Sequence, residues 1–128
     1  MDKNIKSLRV MHVIDSLAPG GSERVLVELV RGLHNQGISV SVCVSRSDLS
    51  LAGELPPAVD LLVLNRQHTW DWGAIQRLVR YCREQQITIL HAHGRSTMRL
   101  CALAKLLSAG KLRLVFHDHY GDIHVDDQ

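Results

Sequence analysis

Short apolar runs of strand length alternate with longer amphipathic runs along the whole chain, and this alternation limits the fold more than any other feature. LRVMHVI (Leu8 to Ile14), ISVSVCV (Ile38 to Val44), VDLLVLN (Val59 to Asn65), ITILHAH (Ile87 to His93) and LRLVF (Leu112 to Phe116) read as five strands. Between them, Val25, Leu26, Leu29, Val30 and Leu33 recur at helical spacing, as do Ile75, Leu78, Val79 and Cys82, and then Leu100, Cys101, Leu103, Ala104 and Leu107. Strand–helix alternation of this kind needs right-handed crossovers, which build a parallel sheet covered on both faces. The expected fold is a Rossmann-like, doubly wound α/β domain spanning residues 1–128, with strand order 3-2-1-4-5.

The turns are chemically informative. Ser16 to Leu33 reads SLAPGGSERVLVELVRGL, so the chain leaves its first strand through Pro19, Gly20 and Gly21 and enters a helix with Ser22 as the expected N-cap. Adjacent glycines there allow backbone N–H groups to approach an anion at the positive end of a helix, and they also suit a tight turn with no ligand. Gly37 supplies the left-handed residue that ends the helix. PGGSER is neither the spaced-glycine dinucleotide fingerprint nor a P-loop, which lacks nothing more conspicuous here than its lysine.

Two further loops leave strands at the same end of such a sheet. His91, His93, Gly94, Arg95 and Ser96 close and follow the fourth strand, and His117, Asp118, His119 and Tyr120 follow the fifth. Ligands of open α/β sheets bind outside the carboxyl ends of the strands, where the strand order reverses. His93 and His119 sit where strands run out and can take a proton or bond a sugar hydroxyl. His12 and His91, inside strands, read as core histidines bonded to the backbone. The HAH and HDH segments permit a metal reading, but few carboxylates accompany them, so no metal ligand is assigned. Trp70 and Trp72 read first as a hydrophobic staple over a helix start, with an aromatic surface for a sugar or lipid acceptor as the alternative.

Composition narrows the class. A net charge of +2 with no basic stripe argues against a nucleic-acid partner. Cys43, Cys82 and Cys101 are odd in number and lack CxxC spacing, which fits reduced, buried thiols and a cytoplasmic location. No apolar run reaches the length of a membrane span, while Arg77, Arg80, Arg83, Lys105 and Lys111 leave room for peripheral contact with an anionic membrane surface.

From Leu8 to Asp122 the blocks VMHVIDSLAPGGSERVLVELVRGL, GISVSVCVS, ITILHAHGRST and LRLVFHDHYGD resemble the amino-terminal half of a family 4 glycosyltransferase. The resemblance implies one half of a GT-B fold and retaining transfer of a sugar from a nucleotide-sugar donor to an acceptor hydroxyl, with no metal or other cofactor. It implies that Gly20 and Gly21 approach the donor diphosphate, that His119 contacts the donor sugar as the catalytic residue, and that His93, Gly94, Arg95 and Ser96 line the acceptor side. The acceptor would be a sugar or lipid-linked molecule, reached also from Ser45–Ala58 and Trp70–Trp72. The family's second, donor-binding domain with its E-x7-E pattern does not occur in these 128 residues, so this stretch alone is expected to be inactive, with that domain supplied in cis or in trans. His117 stands where the family often has a hydroxyl residue. Two other classes stay open: a non-catalytic subunit of a two-chain transferase, and a metal-dependent hydrolase using the HxH segments.

Overall fold

A computed structural model describes residues 8–108 and 112–117, and the backbone of 123–126. In chain order the elements are β1 (Arg9–Ile14), α1 (Gly21–Asn35), β2 (Ser39–Val44), a 3-10 turn (Ala52–Glu54), β3 (Asp60–Val63), α2 (Trp72–Glu84), β4 (Ile89–His93), α3 (Arg95–Leu107), β5 (Arg113–His117) and β6 (Ile123–Asp126). The sheet order is β3-β2-β1-β4-β5-β6. Strands β1 to β5 are parallel, as the alternating pattern requires, and the fold is the expected Rossmann-like one. β6 adds a sixth, antiparallel edge strand beside β5, beyond the five expected from the sequence.

The two faces of the sheet are covered by different helices. Met11, Val13, Cys43, Leu90, Ala92 and Leu114 pack with Ile75, Leu78 and Cys82 of α2 and Leu100, Cys101 and Ala104 of α3. On the other face, Ile14, Val40, Val42 and Val44 meet Leu26, Val27 and Val30 of α1, together with Leu51, Leu55 and Val59 from the long β2–β3 connection. Each of these buried aliphatic side chains contributes on the order of 1.5–3 kcal/mol of transfer free energy. Because β1 and β2 are covered on both sides, they read as nearly continuous apolar runs.

Three local expectations are corrected. Helix α1 begins at Gly21 with Gly20 as its N-cap and no side-chain cap; Ser22 is already inside the helix, its Oγ donating to Glu23 Oε1 at 3.2 Å. Val25, expected on the buried stripe, is exposed, because the stripe narrows to Leu26, Val27 and Val30. Trp70 and Trp72 are 61% and 59% exposed, so they do not staple the start of α2. That start is held by Asp71, whose carboxylate accepts from the backbone N–H of Ala74 at 3.2 Å and of Gln67 at 2.9 Å. The three cysteines are free and buried, as expected. Among the described residues no helix is long and apolar enough to cross a membrane.

Candidate functional site

β1 and β4 are hydrogen-bonded neighbours, so the loops leaving their carboxyl ends share one rim of the sheet. The first loop carries Gly20 and Gly21. Neither has a positive φ; Gly20 is extended at −172°. A Cβ at Gly21 would meet nothing within 4 Å, and one at Gly20 would touch only the flexible end of Glu23. A tight turn therefore does not demand these glycines. Gly21 faces open space at the mouth of a helix that has no side-chain cap, while the Glu23 carboxylate lies beside Gly20.

The second loop behaves differently. Gly94, the N-cap of α3, has φ +103° and ψ 158°, a conformation that only glycine adopts without strain. Its N–H donates to the carbonyl of His117 at 3.2 Å, which ties the end of β4 to the end of β5. Thr97 secures the turn from the other side, its Oγ1 donating to the His93 carbonyl at 2.8 Å. Arg95 is exposed on the rim, and Ser96 is half-buried. His119, with Asp118, Tyr120 and Asp122, lies outside the described residues.

Beneath the rim lies a buried ionic network absent from the sequence reading. The Arg66 side chain has no solvent exposure, and its Nη2 donates to Asp15 Oδ1 at 2.8 Å and also to Ser96 Oγ. Nη1 donates to the carbonyl of Thr69 at 3.2 Å, while Nε is buried without a partner among the described residues. Asp15 also accepts from Ser45 Oγ, and Arg46 Nε lies 3.9 Å from Oδ1. One guanidinium thus connects the ends of β1, β2 and β3 to the start of α3. The Ser96 oxygen faces inward to Arg66, and its own proton is not used in that bond.

The histidines form the second group missed by the sequence reading. In the sheet register His12 pairs with His91, and His93 with His117, which puts all four on the face that α1 partly covers. The His91 and His93 rings stack with centroids 4.3 Å apart, and His12 lies 4.8 Å from His91 and 5.3 Å from His93. His12 Nδ1 and His93 Nε2 are hydrogen-bonded at 3.0 Å. His12 and His93 are buried, and no backbone bond holds the inner nitrogens of the strand histidines: Nε2 of His12 and of His91 have no partner among the described residues. Burial, reinforced by His91, pushes the His12 pKa down to about 3; burial and His117 take His91 to about 4. His93 falls furthest, to about 2, through burial and then through His91, His12 and His117. All three imidazoles are therefore neutral near pH 7. Finding this group from sequence needed the β1–β4 register, since His12 and His91 are 79 positions apart.

Of the residues singled out from the sequence, Gly20, Gly21, Gly94, Arg95 and Ser96 stand on loops from neighbouring strands at one sheet end, whereas the His93 ring turns down into the histidine cluster. Comparison with curated proteins returns no match. The family model described as Glycosyltransferase Family 4 matches residues 19–126. That span takes in both glycines, the β4–α3 loop and every element from α1 to β6, and on this ground the chain belongs to glycosyltransferase family 4.

Proposed function

We propose that this domain is the acceptor-side half of a retaining glycosyltransferase that moves a sugar from a nucleotide-sugar donor to an acceptor hydroxyl, with no metal in the transfer step. The observation that carries the reading is the Gly20–Gly21 mouth: ordinary backbone angles at both, open space at Gly21 and a helix N-terminus without a side-chain cap. Departure of a nucleoside diphosphate builds negative charge, and oriented N–H dipoles at a helix start stabilise it without reorganising. Gly94, Arg95 and Ser96 line the acceptor side, with His93 below them, and His119 bonds the donor sugar beside the reacting carbon. The donor nucleotide is held mainly by a second domain, in cis or on a separate chain. Trp70 and Trp72, both exposed close to the rim, offer an apolar platform to a sugar or lipid-linked acceptor.

The test is a titration of this domain with inorganic pyrophosphate, followed by backbone amide NMR. The expected result is weak, saturable binding with the largest shifts at Gly20, Gly21 and Ser22. Gly21→Asp places a carboxylate where the anion should sit; it should abolish those shifts while the helix gains from an acidic first residue. Shifts spread over the lysines and arginines, or unchanged by Gly21→Asp, would remove the basis for the reading.

A further inference from the structure

The histidine cluster has a property that sugar transfer does not use. His12, His91 and His93 each present a ring nitrogen, and these atoms all lie within 4.8 Å of one another. We propose that the three imidazoles form a binding site for one borderline transition-metal ion, Zn2+ foremost, bridging β1 and β4 beneath the Gly94 loop.

Geometry is the first support. Zn–N bonds of about 2.0–2.1 Å in a tetrahedral site place ligand nitrogens roughly 3.3–3.4 Å apart. His12 Nδ1 and His93 Nε2 are already 3.0 Å apart, so opening that pair slightly and turning the His91 ring inward completes a three-nitrogen cup. The backbone is set for this without movement, because His12 and His91 are register partners on adjacent strands and His93 follows on the same face.

Unmet bonding capacity is the second support. His12 is 1% exposed, yet its Nε2 has no partner among the described residues, and neither has Nε2 of His91. Two buried rings and one half-buried ring, with two unpartnered nitrogens among the described residues, are poorly satisfied as a structural core. An ion on His12 Nδ1, His93 Nε2 and a nitrogen of His91 gives each of the three rings a strong bond in place of the single His12–His93 hydrogen bond.

The donor set fixes the ion's class. With imidazole ligands and no carboxylate in the group, the cup suits Zn2+, Co2+, Ni2+ or Cu2+ rather than Mg2+ or Ca2+. A fourth position is open to water or to His117, whose ring centroid lies 5.7 Å from that of His93. The bound ion would cross-link β1 to β4 and fix the residue from which the acceptor-side loop springs. This inference is independent of the glycosyl-transfer reading, and the pyrophosphate titration stands whatever its outcome.

The test uses the chelator-treated chain, titrated with Zn2+ by calorimetry and with Co2+ by visible absorption. One ion per chain is expected, with the ligand-field bands of four- or five-coordinate Co2+. His12→Gln and His91→Gln should each weaken binding at least about 100-fold, at or beyond the 10–100-fold lost when only an outer partner of a ligand is removed. The double variant His34→Gln, His68→Gln, altered only outside the cluster, should bind as the parent does. Absence of stoichiometric binding, or binding that survives the His12 and His91 substitutions, overturns the proposal. If either variant fails to fold by circular dichroism, X-ray absorption of the Zn2+-loaded parent decides: three or more imidazoles in the coordination shell support the site, and fewer overturn it.

Discussion

Arg66 is a cation with no solvent exposure, held against a carboxylate that is itself 38% exposed. Because Asp15 keeps part of its hydration, the pair costs less to desolvate than a fully buried one, but Arg66 depends on it for neutralisation. Asp15→Ala should therefore destabilise the domain by about 2–3 kcal/mol, since the guanidinium is left buried and uncompensated. Arg66→Met removes the buried charge itself and leaves Asp15 partly hydrated, so it should cost clearly less, although Ser96 and the Thr69 carbonyl lose their donor. Urea unfolding of the two variants checks the order; equal losses would mean that packing, not charge, dominates there. Neither residue was legible in the sequence. They stand 51 positions apart, and only the meeting of strand ends in the sheet makes them partners.

Elements were more legible than their ends. Five strands and three helices follow from hydrophobic periodicity, and the order of the first five strands is the usual one of a doubly wound sheet with strand one at its centre. What did not follow was anything set by one or two residues. Ser22 looks like a better cap than glycine, but the helix starts a residue earlier and the serine hydroxyl turns to Glu23. The tryptophans flank the N-cap of α2 and yet stay in solvent, and it is Asp71 with the Gln67 N–H that holds the entry to the helix. The two glycine loops, alike on the page of sequence, separate under a simple substitution. Gly94→Ala forces a Cβ into φ +103° and should cost about 1–3 kcal/mol in thermal or urea unfolding. Gly21→Ala, at an ordinary angle in open space, should change stability by no more than about 0.5 kcal/mol. Similar losses at both positions would contradict the distinction between a glycine needed for the fold and one the fold does not require.

Across the whole molecule, the family and the architecture were available from the sequence blocks, because both depend on patterns repeated over the full chain. The histidine cluster was not, because it depends on how strands far apart in sequence align. The cysteines are distributed unevenly as well. Cys43, Cys82 and Cys101 all lie in the layer between the sheet and α2 and α3, and none lies in the layer under α1. Burial raises all three thiol pKa values, that of Cys82 to about 12. In native buffer a disulfide-exchange reagent should find no reactive thiol, and three should appear as denaturant opens the core; prompt labelling of any one would disprove its burial. The domain thus carries a one-sided alarm. An excursion that lifts α1 off the sheet uncovers no thiol, while a parting of α2 and α3 offers one to any disulfide reagent present.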